Sequence, residues 1–116
     1  MFTFSAHSEV KNKLPSDEAW KLGSGWISKT EDLNGLRDWV LGGYAFVCAA
    51  MHSEHRTSAA FKHADFIGVD IDHGLTIDQF LAHPLAKTAF WGYTTCSHNP
   101  EQGTHRYRVL FRLPER

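Results

Sequence analysis

The stretch Phe66-Ile67-Gly68-Val69-Asp70-Ile71-Asp72-His73-Gly74 constrains this chain more than any other. Its apolar, β-branched run predicts a buried strand. Residues i and i+2 of a strand point to one face, so Asp70 and Asp72 are expected side by side. Neighbouring carboxylates repel, and one of them must hold a proton unless the pair finds a cation. Hard oxygen ligands suit Mg²⁺ or Mn²⁺, which take one or two protein carboxylates and complete their shells with water and substrate phosphates. Phosphoryl or nucleotidyl transfer is the chemistry to which such a pair points. An isolated DxD also reads as a plain strand end with turn residues beyond it, so other residues must decide.

Composition narrows the field. The 116 residues are 42% hydrophobic and 13% aromatic, which predicts a globular chain rather than a disordered one and a single domain over residues 1–116. A formal net charge of −1 gives no whole-molecule field for non-specific binding to nucleic acid, so any such contact has to be local. Positive charge is uneven: Arg106, Arg108, Arg112 and Arg116 crowd the end of the sequence. Cys48 and Cys96 lie far apart in apolar runs and predict small buried side chains in a reducing compartment rather than a disulfide scaffold. No stretch approaches the roughly 20 apolar residues of a membrane span, and the N-terminus lacks a basic segment with an apolar core. A cytoplasmic protein without membrane contact is expected.

Periodicity predicts an α+β chain. Residues 1–6 alternate as a short strand, residues 16–22 form a short helix, and Gly23, Ser24 and Gly25 a loop. A second helix is expected with Thr30 as N-cap, Glu31 and Asp32 in its first turn, Leu33, Leu36, Trp39 and Val40 on one face, and Gly42-Gly43 as its stop. Residues 44–50 read as a strand and 52–62 as a polar loop. Thr76 opens a short helix containing Ile77, Phe80 and Leu81 that ends before Pro84. Residues 88–95 and 105–113 read as strands whose spacing permits a hairpin with a long loop.

That hairpin carries the second constellation, Tyr93-Thr94-Thr95-Cys96-Ser97-His98 followed by Arg106-Tyr107-Arg108-Val109. Hydroxyls, a histidine and two alternating arginines at one hairpin end could donate hydrogen bonds and positive charge to a polyphosphate. By the period-two rule Arg106 and Arg108 share a face. Alone, the same residues read as a solvated loop and an exposed strand face.

In this order, Asp-Ile-Asp-His-Gly, a short helix, Tyr-Thr-Thr-Cys-Ser-His and Arg-Tyr-Arg-Val-Leu-Phe-Arg-Leu-Pro resemble the archaeo-eukaryotic primase superfamily, most closely its bacterial, plasmid and phage primase-polymerase branch. The resemblance spans roughly residues 43–114. It implies an RRM-like catalytic core with an N-terminal α/β unit. It also implies a DxD metal site at Asp70 and Asp72 holding Mg²⁺ or Mn²⁺. Ser97 and His98, with His105 as the other bearer of the histidine role, would contact the incoming nucleotide, joined by Arg106 and Arg108. The implied function is metal-dependent nucleotidyl transfer in DNA replication, making or extending primers from nucleoside triphosphates on a DNA template, with a helicase domain or subunit as a further partner. The family's third acidic motif has no match before Arg116, since Glu101 lies in a loop and Glu115 at the terminus. The chain is therefore expected to be the N-terminal portion of such a domain, incomplete at its C-terminus and doubtful as a catalyst by itself.

Other readings stand beside this one. Cys48, His52, His55 and His63 are zinc-ligand types with an H-x-x-H step, but their spacing matches no familiar zinc module. The domain could be a non-catalytic nucleic-acid or nucleotide-binding module of a plasmid or phage replication protein, with structural aspartates. It could also be a metal-dependent nuclease. His73 reads as a partner to the aspartates or as exposed, and Arg56 as a solvated loop residue. Trp39 and Trp91 are expected in the core.

Overall fold

The first ten residues after Met1 show why the chain needs neighbours on both sides. The strand β1 (Phe2–Lys11) alternates Phe2, Phe4 and Ala6 with Ser5 and His7, and every one of these five is buried. A strand buried on both faces needs apolar cover on each face. The computed structural model, which describes residues 1–11, 14–95 and 98–114, places β1 between β2 (Trp26–Glu31) and β3 (Tyr44–Val47), both antiparallel to it. Among the described residues there are three antiparallel sheets, the α+β arrangement expected from the sequence. The chain divides into two compact units, Met1–Asp65 and Phe66–Arg116. No helix among the described residues is long and apolar enough to cross a membrane.

In the first unit, β2 pairs with β1 from Phe2↔Glu31 to His7↔Trp26. This strand is absent from the sequence reading, which assigns Thr30 and Glu31 to a helix start. Tertiary pairing with β1 holds both in the sheet, and the helix α1 (Leu33–Leu41) begins two residues later than expected. Asp32 is its N-cap, accepting a hydrogen bond from the Gly35 N–H at 2.8 Å. The helix stops at the expected glycines, Gly43 taking a left-handed φ of 82°. Residues 16–23 form a 3₁₀ helix (Ser16–Gly23). The expected strand over 44–50 is broken into β3 and the two-residue β4 (Ala50–Met51). The loop 52–62 contains a 3₁₀ turn (Ser58–Ala60) and the start of β5 (Phe61–His63), which pairs with β4.

Among the described residues of this unit every buried polar side-chain atom has a hydrogen-bond partner. His7 Nδ1 accepts from the backbone N–H groups of Glu9 and Val10 at 3.0 and 2.9 Å. Nε2 is therefore the nitrogen that carries the proton, and it donates to the Lys21 carbonyl at 2.9 Å. The Trp26 ring meets the imidazole edge-on at 5.4 Å and donates its Nε1–H to the Leu22 carbonyl. Gly25, at φ 91°, passes so close that a Cβ there would lie 2.9 Å from two His7 ring atoms. Ser5 and Ser28, directly opposite each other, share a hydrogen bond. Ser5 Oγ also donates to the Ala49 carbonyl, and the Met51 N–H donates to Ser28 Oγ, tying β4 to the sheet. The N–H of Thr3 donates to the Asp65 carboxylate. Trp26 is the buried tryptophan, whereas Trp39 and Trp91, expected in the core, are only half-buried and Trp20 is 75% exposed. The indole of Trp39 is instead partly covered by the Lys29 ammonium at 4.3 Å.

The second unit is a three-stranded antiparallel sheet of β6 (Phe66–Ile71), β7 (Ala89–Thr94) and β8 (Tyr107–Arg112), in the order β6-β8-β7. Between β6 and β7 comes α2 (Ile77–Leu81), opened as expected by Thr76 in a capping box with Gln79. Cross-strand pairing sorts the side chains. Phe66, Gly68 and Asp70 lie opposite Arg112, Leu110 and Arg108 on one face, and Ile67, Val69 and Ile71 oppose Phe111, Val109 and Tyr107 on the other. An apolar groove of about 230 Å³ runs along the second face between Val69, Ile71, Val109 and Phe111 and the α2 residue Phe80. Tyr107 is 4% exposed and its hydroxyl bridges the carbonyls of Leu75 and Thr76, both at 3.1 Å, which ties the start of α2 to the central strand.

Candidate functional site

The hairpin of β7 and β8 brings the two sequence constellations to one end of one sheet. β8 leaves its loop beside the end of β7, and β6 lies antiparallel on its other side. Asp70, near the end of β6, is the direct cross-strand partner of Arg108, near the start of β8, and Tyr93 on β7 is the partner of Arg108 on the opposite side. Three strands thus contribute an acid, a base and a phenol in one row across the sheet.

Each of the three guanidinium nitrogens of Arg108 donates a hydrogen bond within this row. Arg108 donates from Nε to Asp70 Oδ1 at 2.5 Å and from Nη2 to Oδ2 at 3.2 Å, while Nη1 donates to the Tyr93 hydroxyl at 3.1 Å. The guanidinium carbon also lies 6.0 Å from the Tyr93 ring centre. The hydrogen bond to Asp70 is the largest influence on Arg108. It outweighs the opposing effect of burial, and the guanidinium holds its proton more firmly than an ordinary arginine. The side chains of Arg108 and Asp70 are 28% and 48% exposed, so water screens the pair, and its net worth is on the order of 1 kcal/mol.

Asp72 is exposed and falls one residue past the end of β6, so the pleat that aims Asp70 does not extend to it. The sequence reading sets both aspartates on the strand, and pairing with β8 ends at Ile71↔Tyr107 because the chain then turns through Gly74 at φ 84°. Arg106 is exposed and precedes β8 by one residue, so the period-two argument that joins it to Arg108 lacks the strand it needs. Its backbone has a role: the Arg106 N–H donates to His98 Nδ1 at 3.0 Å. That bond leaves His98 Nε2 as the proton-bearing nitrogen. The His98 N–H donates to the Thr95 carbonyl, and its ring meets His105 edge-on at 5.9 Å. Beyond His98 the loop closes on itself, with Asn99 and Thr104 exchanging backbone hydrogen bonds around a 3₁₀ turn (Pro100–Gln102) and Gly103 at φ 75°. Ser97, the other nucleotide-contact candidate, lies outside the described residues, as do Cys96, Glu115 and Arg116.

Tyr93 is the residue whose part sequence reasoning missed. Its signal is register: once the hairpin is aligned, an aromatic sits directly opposite an arginine that itself faces an aspartate.

Among the described residues no three His, Cys, Asp or Glu side chains gather into a metal-holding group, and this includes Cys48, His52, His55 and His63. Asp70 and Asp72 are nevertheless exposed hard donors, suited to a cation that brings its remaining ligands as water and phosphate rather than to an all-protein cage. Both oxygens of Asp70 already accept from Arg108, so a cation there competes with a positive charge for the same carboxylate.

Comparison of the chain with protein-family models, with curated proteins and with solved structures gave no match.

Proposed function

We propose that the Asp70 end of the β6-β8-β7 sheet is a nucleoside-triphosphate site for metal-dependent nucleotidyl transfer, of the kind used to make or extend primers on DNA. The observation that carries this reading is the pairing of Asp70 on β6 with Arg108 on β8, residues separated in sequence by α2, with His98 bonded to the Arg106 backbone where the hairpin loop enters β8. Arg108 presents a planar fork that suits phosphate as well as carboxylate. His98, with Nδ1 occupied by the Arg106 N–H, offers its Nε2–H to a phosphate oxygen. The exposed Arg106 side chain adds local positive charge. Asp70 and Asp72 would hold Mg²⁺ or Mn²⁺, which supplies charge neutralisation at the reacting phosphate. The chain's own groups position the triphosphate and stabilise charge on the departing pyrophosphate.

A second reading draws on the same geometry. Because Arg108 holds both oxygens of Asp70, the aspartate serves equally well to orient the arginine in a metal-free phosphate-binding module.

Calorimetric titration of a nucleoside triphosphate with Mn²⁺ and with EDTA separates the two. The transferase reading predicts binding that EDTA and Asp70→Asn both abolish. It also predicts that His98→Ala weakens binding by about tenfold to a hundredfold, the loss of one hydrogen bond to a charged group. Binding that is indifferent to EDTA establishes the metal-free module. Absence of binding overturns both.

A further inference from the structure

We infer that Arg108 is a latch on the metal site: it closes Asp70 against a bare divalent cation and opens when a triphosphate takes over its guanidinium. This rests on the nucleotide-site reading above and adds a control that the reading does not require.

The argument starts from donors and acceptors. Asp70 has two oxygens, and Arg108 engages each with a separate N–H. A cation approaching Asp70 therefore meets a positive group already seated on both oxygens, which repels it and competes with it for the carboxylate's charge. A triphosphate reverses the balance, because its oxygens match the same fork and accept the same N–H groups. Metal and triphosphate then help each other, while metal alone is resisted. Tyr93 positions the latch: its hydroxyl accepts from Nη1, the guanidinium nitrogen that does not reach Asp70, and so holds the plane of the fork toward the carboxylate. The row lies across three paired strands, so the backbone keeps these side chains adjacent whether the latch is closed or open. The closed contact is half-exposed and of modest strength, as a device that must open requires.

The test measures Mn²⁺ affinity without nucleotide, by calorimetry or by the spin signal of free Mn²⁺, for the wild type, Arg108→Gln and Tyr93→Phe. Arg108→Gln is expected to bind bare Mn²⁺ about fivefold more tightly, the fold-change that corresponds to losing one half-exposed ion pair of about 1 kcal/mol. Tyr93→Phe leaves every charge in place and is expected to raise the affinity about twofold, which a general reduction of positive charge would not explain. In the wild type, the ¹⁵N-labelled Nε–H resonance of Arg108 is expected to lose its carboxylate-bonded shift when Mg²⁺ and a nucleoside triphosphate are added together, and to keep it with Mg²⁺ alone. Unchanged Mn²⁺ affinity in folded Arg108→Gln, or an Nε–H resonance unmoved by bound Mg²⁺ and triphosphate, overturns the latch while leaving the nucleotide site standing. If the wild type binds no triphosphate at all, the site reading itself fails, and the latch as a triphosphate-operated device falls with it.

Discussion

The two units handle polar groups in opposite ways. In Met1–Asp65 the buried polar side chains, Ser5 and His7, are answered on every side by backbone and hydroxyl partners, and the apolar core runs from Phe2 and Phe4 through Val10, Trp26 and Leu36. Among the described residues of Phe66–Arg116 the buried apolar set is shorter, namely Phe66, Tyr107, Val109 and Leu110, and a half-exposed ion pair joins β6 to β8. Ile67, Val69, Leu81 and Leu85 remain exposed there as well. Saturated and buried networks favour one arrangement, since each unmade bond carries a desolvation cost. A half-exposed arginine can exchange one set of acceptors for another at little cost. The contrast separates a unit whose buried polar groups are answered within the fold from one whose ion pair is open to water.

The sharpest way to break this comparison is through the first unit's core. Phe4→Ala removes a fully buried ring that packs edge-on against Phe46, and is expected to destabilise by about 3–5 kcal/mol in urea unfolding. A loss below about 1 kcal/mol would show that the first unit is not where stability resides. Gly25→Ala is expected to cost about 2–3 kcal/mol, because alanine is strained at φ 91° and its Cβ would push the His7 ring off its three partners. Hydrogen exchange should show the loss in the amides of Glu9 and Val10.

In the second unit the effects are smaller and depend on pH. Burial pushes the Tyr107 hydroxyl above its ordinary value of 10.0. The folded state therefore keeps the proton more tightly than the unfolded chain, and the stability this contributes is intact below about pH 10 and falls as the pH rises through the folded value. Tyr107→Phe leaves the Leu75 and Thr76 carbonyls without the hydroxyl. It is expected to cost about 1–2 kcal/mol at neutral pH and to flatten the alkaline decline seen in a pH series of thermal melts. Arg108→Gln should change stability least, by less than about 1 kcal/mol, while changing ligand binding most. An Arg108→Gln loss as large as that of Phe4→Ala would make the ion pair a structural element and erase the distinction between the units.

Several features were legible without coordinates because their causes are local. The capping box at Thr76 and the glycine stop after Leu41 are short-range hydrogen-bond and φ requirements, readable from residue type and spacing. The strands expected over 88–95 and 105–113 form as β7 and β8, and one chain reversal was enough to pair them. The second strand of the first sheet was not legible. Trp26–Glu31 has mixed polarity and runs into good helix-start residues, and only pairing with the doubly buried β1 makes it a strand. The tryptophans went astray for a similar reason, since which indole becomes core depends on which faces meet.

At the candidate site the sequence by itself supplied the inventory: Asp70, Asp72, His98, Arg106 and Arg108, with the chemistry such groups can perform. Pairing decided the rest. It set Arg108 between Asp70 and Tyr93, left Asp72 beyond the strand end, and turned Arg106 into a backbone donor for His98. Residue type fixes charge, hydrogen-bonding capacity and local backbone preference. Which donor meets which acceptor depends on register between strands distant in sequence, and that is decided only when the sheet forms.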